Sequence, residues 1–195
     1  MRLIRRKVDS KDRLVLIILS IAVLFFAASI LYAYNHIEGN DGPISWPGTS
    51  TGWDYSGVNV YWAWGAFYAK AEWNSSPMNF TVNYNQYSNN DLFIYNYPDG
   101  NNGFTNVWWN EDDEITQADI YINSYYVYPS YYPYNPPLGA VDGQSIITHE
   151  LGHMLGMDEE TYPTNVTMYP SYGPNQTWMR SLEDDDEDGI EELYP

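Results

Sequence analysis

The chain has no cysteine, so disulfides, thiolate metal sites and cysteine nucleophiles are excluded. It is almost as poor in basic residues. Six of its eight lysines and arginines (Arg2, Arg5, Arg6, Lys7, Lys11, Arg13) precede Leu14, and after Tyr34 only Lys70 and Arg180 remain. Against them stand 24 of the 26 acids, leaving that part at a formal charge of −22 (2 basic, 24 acidic). Such a surface repels nucleic acid and anionic lipid headgroups, so no nucleic-acid partner is expected. Histidine is scarce too, at three residues, and two of them lie four apart at His149 and His153.

Charge is also missing from Leu14 to Tyr34, LVLIILSIAVLFFAASILYAY, 21 residues long. A bilayer needs roughly 20 apolar residues as a helix. With the basic residues of 1–13 held in the cytoplasm, residues 14–34 read as a single-pass anchor that leaves the rest outside the cell. The alternative is a signal peptide cleaved near Ala27-Ala28-Ser29, giving a secreted product. Residues 35–52, rich in Gly, Pro, Ser and Thr, read as a linker, and 53–195 as one domain.

Within that domain the alternation of Val58, Val60 and Trp62 predicts a strand, and Gly65–Trp73 a helix. Strands follow at 79–87, 92–97, 104–109 and 118–122, then two helices. The order suggests an α+β fold with helices against a mixed sheet. Twenty tyrosines and eight tryptophans fit a core and the rim of a sheet; a sugar-binding surface is the alternative.

Asp142 is a good N-cap for a helix over about 143–155. At about 100° per residue His153 lies about 40° from His149, and Glu150 about 100°. Ile147, Leu151, Met154 and Leu155 fall between about 140° and 240°, on the other side. Two imidazoles one turn apart can share one zinc ion, and Glu150 can reach the water that zinc activates. A helix carrying two surface histidines is the plainer reading. Gly156 can end the helix in a left-handed conformation, so that the chain turns back and a later residue completes the coordination.

HELGHMLGMDE (149–159) resembles the elongated zinc motif of metzincin peptidases, and TMYPSYG (167–173) resembles the Met-turn of their matrixin branch, with Met168 beneath the metal. AKAEWNSSPMNFT, ITQADIYIN and SLEDDDEDGIEELYP are similar to further matrixin elements, so the likeness covers most of 57–195. The resemblance implies a mixed twisted sheet, a zinc-binding helix under a cleft and a C-terminal helix. It also implies an edge strand near 104–109 that takes a protein or peptide substrate as an added strand. Glu150 becomes the general base, and Tyr169, Pro170 and Tyr172 shape the specificity pocket.

Matrixins place histidine where this chain has Glu159. Glu159 sits at the motif spacing and is the expected third ligand after His149 and His153; Asp158 and Glu160 are its rivals. A carboxylate in place of an imidazole makes the site one charge less positive, and so a weaker activator of water. Calcium is a second candidate ion, at NEDDE (110–114) or at Asp184, Asp186 and Asp188, which resemble the start of an EF-hand loop. Acids stabilising the start of the last helix explain the latter equally simply. A zinc-dependent endopeptidase is therefore expected. Its rivals are a zinc hydrolase acting on another substrate and a surface or binding protein on a retired peptidase fold, with sequons at Asn74, Asn79, Asn165 and Asn175.

Overall fold

The computed structural model describes residues 34–98 and 100–195. The basic segment 1–13 and the expected anchor, except for Tyr34, lie outside the described residues. Among the described residues no helix is long and apolar enough to cross a membrane.

Tyr34–Pro195 forms one compact unit. Its elements in order are β1 (Ser50–Trp53), α1 (Val60–Trp73), β2 (Thr81–Tyr84), β3 (Leu92–Tyr95), β4 (Gly103–Trp109), β5 (Ile115–Asn123), β6 (Val127–Tyr128), β7 (Val141–Asp142), α2 (Gly143–Met154), a 3-10 turn (Trp178–Arg180) and α3 (Asp184–Leu193). β1 pairs with β2 in parallel, and β3 with β5 in parallel. β4 runs antiparallel to β5, and an isolated bridge between Asp54 and Asp91 joins the β1 and β3 sides. The expected mixed sheet is therefore present, with β4 at its edge.

The strand expected over 57–62 is instead the entry to α1. Asn59 caps the helix, its side-chain oxygen accepting from Tyr61 N–H at 3.0 Å. Buried positions then recur at Trp62, Gly65, Ala66, Ala69 and Trp73, a helical spacing. The alternation of Val58 and Val60 was local, and Val60 is exposed. Gly65 lets α1 approach α2, because a Cβ there would meet Ile147 Cδ1 at 3.2 Å. Trp73 Nε1 donates to Thr148 O of α2 at 2.8 Å.

The stretch expected to be a linker belongs to the folded unit. Ile44 is fully buried and Trp46 nearly so. Trp46 Nε1 donates to Met154 O at 2.8 Å, and its backbone N–H donates to the Tyr194 hydroxyl at 3.0 Å. Four tryptophans, 46, 53, 62 and 73, fill the core, whereas many tyrosines stay at the surface. On the outer sheet face Phe93, Tyr121 and Phe104 stack in a ladder, with centroid spacings of 5.0 and 4.7 Å. Asn74, one of the four sequons, uses its carboxamide to bridge both backbone groups of Val82.

The acids considered for calcium are partly committed within the fold. Asp186 is buried; its Oδ2 accepts from the N–H groups of Thr167 and Glu183, and its Oδ1 from that of Met168. Asp184, Asp186 and Asp188 do not form a close cluster of carboxylates among the described residues, and Asp113 of NEDDE accepts from the N–H groups of Asn40 and Asp41.

Asp142 is fully buried at the head of α2. Its oxygens accept from Ser145 N–H at 2.9 Å, from the Ser130 and Ser145 hydroxyls, and from both Nε and Nη2 of Arg180. Arg180→Ala would strand this carboxylate in the interior. We expect it to cost about 3–5 kcal/mol, read by urea unfolding; a loss below about 1 kcal/mol would contradict the pairing's role.

Asp185 sits among like charges. Burial first, then Asp186, Glu160 and Asp188, pushes its carboxyl up to about 6. A folded-state value above the unfolded one stabilises the protonated form. The contribution is therefore complete below about pH 4, and is lost as pH rises through about 6. Asp185→Asn should raise the thermal midpoint at pH 7 relative to wild type, with the gap closing near pH 4; an equal gap at both would refute this.

Candidate metal centre

Helix α2 begins where Asp142 caps it and ends at Gly156, whose φ of 95° is the expected left-handed stop. A Cβ at Gly156 would meet Ile44 O at 2.4 Å, so glycine is also needed for space. The helix is buried nearly all round rather than along one stripe. His149 is 8% exposed and Glu150 5%. It is pressed between α1 on one side and the turn bearing Met168 on the other. Gly152 permits that approach: a Cβ there would meet Met168 Sδ at 2.3 Å and Trp73 Cζ2 at 2.8 Å. Met168 thus packs directly beneath the histidine-bearing turn, buried.

Each imidazole is oriented by a backbone carbonyl. His149 Nδ1 lies 2.7 Å from Thr167 O, and His153 Nδ1 lies 2.9 Å from Met157 O. A carbonyl only accepts, so each Nδ1 carries the proton and each Nε2 presents a lone pair. The two Nε2 atoms face one another 3.1 Å apart. Two lone pairs that close repel unless a cation lies between or beside them. A proton does not serve at His149, because burial, with His153 second, pushes its imidazolium down to about 3 against the pull of the Thr167 carbonyl. A carboxylate oxygen of Glu159 completes a group of three donors lying within 4.8 Å of one another. Two neutral imidazoles and one carboxylate are a donor set that zinc accepts, and the residues present fit that ion.

The rivals of Glu159 are engaged elsewhere. Asp158 Oδ1 accepts from Glu159 N–H at 2.7 Å. Glu160 is buried, with Oε1 accepting from Tyr162 N–H at 2.9 Å. Among the described residues His149, His153 and Glu159 form the one group able to hold a metal. His36, the third histidine, is not part of that group; its Nε2 lies 2.9 Å from Gly189 O on α3.

Glu150 is held by β4. The Thr105 hydroxyl lies 2.7 Å from Glu150 Oε2 and 2.9 Å from Glu150 O, and can donate its one proton to either. Burial raises the Glu150 carboxyl above the ordinary carboxylate range; His153 and the Thr105 hydroxyl oppose the rise and Glu159 adds to it. A carboxylate made more basic in this way is suited to accept a proton. Thr105 was not singled out from sequence. Strand parity carried the signal, since Gly103, Thr105 and Val107 share one face of β4 while Phe104 and Trp108 share the other.

A cavity of about 290 Å³ opens beside these groups, lined by Gly103, His149, Glu150, Glu159 and the expected pocket residues Tyr169, Pro170 and Tyr172. Asn102 Nδ2 reaches Tyr172 O at 3.4 Å across its mouth. Among the described residues β4 pairs with β5 alone, leaving its other edge unpaired there. The turn that carries Met168 is fixed from behind by the two bonds from Asp186, so α3 sets the position of the Thr167 carbonyl and through it the ring of His149.

The Matrixin family of peptidases (M10) matches residues 69–195, well over half the chain. Local similarity reaches human matrilysin, 49% identical over 47 residues (24% of this chain, 17% of the relative), and rat matrilysin, 45% over 49 residues (25% and 18%). It extends to metalloendoproteinase 1 of Glycine max, 40% identical over 60 residues, covering 31% of this chain and 19% of the relative. The chain thus spans less than a fifth of the length of each of these curated relatives. The family match covers both histidines, Glu150, the acid in the third position and the turn beneath them, and on that ground the chain belongs to the matrixins.

Proposed function

We propose that this chain is a zinc-dependent endopeptidase whose His149, His153 and Glu159 hold the ion and whose Glu150 is the general base. The observation that carries this reading is the pair of Nε2 atoms 3.1 Å apart, with an acid beside them and a cleft alongside. Zinc bound there would supply Lewis acidity toward a carbonyl oxygen.

The chain's own residues do the rest. The open edge of β4 offers backbone donors and acceptors to an extended peptide, aligning its scissile bond over the histidines. Glu150 accepts the proton of the attacking water and returns it to the leaving nitrogen. Thr105 holds the Glu150 carboxylate in the orientation for that transfer. Tyr169, Pro170 and Tyr172 enclose the cavity that receives a substrate side chain. Binding without cleavage is favoured by one observation, the exposed Phe93–Tyr121–Phe104 ladder, which is a flat aromatic platform outside the cleft.

The full chain should cut casein and retain about one zinc, and a chelator should stop the cleavage. Glu150→Ala should keep the zinc and lose at least about 100-fold in kcat/KM. Glu159→Ala and His153→Ala should lose the zinc itself. Zinc without any cleavage would favour the binding reading, and Glu150→Ala at wild-type speed would end the assignment of the base.

We further propose that Leu14–Tyr34 anchors the domain to the cell membrane on its outer face, as a charge-free stretch of spanning length preceded by basic residues. The full chain expressed in cells should then stay with membranes through alkaline carbonate washing. Release into the medium with a new N-terminus near Ser29 would establish signal cleavage instead.

A further inference from the structure

The loop that carries Glu159 is held by residues far earlier in the chain. Ile37 N–H donates to Gly156 O at 2.8 Å, and Asp158 N–H donates to Asn35 O at 2.9 Å. His36 and Met157 face each other in the antiparallel bridge between these bonds. The Asn35 carboxamide then adds a third contact, Nδ2 donating to Glu159 O at 3.0 Å. The short segment is itself fastened to α3, by the bond between His36 Nε2 and Gly189 O and by the Tyr34 hydroxyl to Glu192.

These contacts converge on two of the three proposed ligands. Met157, paired with His36, supplies the carbonyl that orients His153. Glu159 is exposed, so no packing immobilises its side chain. Its position depends on its backbone, and that backbone is pinned on both sides: Asp158 N–H before it by Asn35 O, and the peptide after it by Asn35 Nδ2 at Glu159 O and by Met168 O at Glu160 N–H, at 2.8 Å. A ligand on a loose loop must be ordered when the ion binds, at a cost in entropy; a loop ordered beforehand avoids most of that cost.

We propose that Asn35 is a positioning residue for the metal centre, its carbonyl and carboxamide holding Asp158 N–H and Glu159 O so that the Glu159 carboxylate stays beside the paired imidazoles. This rests on the reading of His149, His153 and Glu159 as zinc ligands. Residues 35–37 lie outside the 69–195 matched by the family. The brace couples the ligand loop directly to the stretch that leads back to residues 14–34.

Two variants of the full chain test it, Asn35→Ala and Asn35→Asp, beside wild type and His153→Ala. Zinc affinity is read by competition with a chelator of known strength, and metal-free stability by thermal unfolding. Asn35→Asp keeps the volume and the backbone contact but cannot donate to Glu159 O. Its added negative charge would by itself tighten zinc binding, so the brace and simple electrostatics predict opposite signs. We expect both variants to bind zinc roughly tenfold more weakly, with metal-free midpoints close to wild type. If either binds zinc as tightly as wild type while His153→Ala does not, the brace is overturned and the zinc reading stands. If affinity falls only in step with metal-free stability, the role of Asn35 is structural and the proposal fails. Should Asn35→Ala lose cooperative unfolding, Asn35→Asp carries the comparison. Wild-type affinity in His153→Ala would instead overturn the ligand assignment beneath it.

Discussion

Two imidazole nitrogens brought 3.1 Å apart, each ring oriented by a backbone carbonyl at its Nδ1, form the constraint on which the rest of this structure turns. Left alone the arrangement is repulsive. It exists because the fold over-determines it: one carbonyl comes from the turn above Met168, the other from the loop after Gly156. Both rings are therefore set by backbone, which a side-chain substitution elsewhere cannot easily move. With His149 buried and His153 half-buried, the pair gives an oriented donor set able to receive a cation.

Support radiates outward from that pair in two directions. Behind His149, the Thr167 carbonyl is fixed by Asp186, which reaches in from α3 and binds successive N–H groups of the turn. Behind His153, the Met157 carbonyl belongs to a loop clamped by residues 35–37 and, through Gly156, packed against Ile44. The C-terminal helix and the first described residues thus meet at the centre, and His36 joins them to each other at Gly189. Below, Asp142 and Arg180 fix the start of the helix that carries everything. An acidic chain with so few cations commits one of the last two to this buried pairing.

Much of the centre was legible in the sequence because its signals are local. The Asp142 cap, the four-residue histidine spacing and the Gly156 stop all act within one helix, and the structure reproduces them. Glu159 is the acid that motif spacing favours, and its carboxylate lies beside both imidazoles, whereas those of Asp158 and Glu160 accept backbone N–H groups. What escaped were pairings across the chain. Thr105 meets Glu150 from a strand 45 residues earlier, and its inward direction is a matter of parity that no local motif marks. Asp186 resembled part of a calcium loop because an acidic run looks the same whether it binds an ion or caps a turn. Residues 35–52 read as a linker on Gly and Pro content, yet Ile44 and Trp46 are core residues. The entry to α1 was misread because Val58, Val60 and Trp62 alternate just where Asn59 begins a helix; the cap outweighed the alternation.

X-ray absorption at the zinc edge of the purified full chain tests the central claim most directly. The account predicts one retained zinc with two histidine nitrogens at about 2.0–2.1 Å and a carboxylate oxygen at about 2.0–2.2 Å in its shell. A shell made only of oxygens, or a chain that keeps no metal through dialysis at neutral pH, would contradict it.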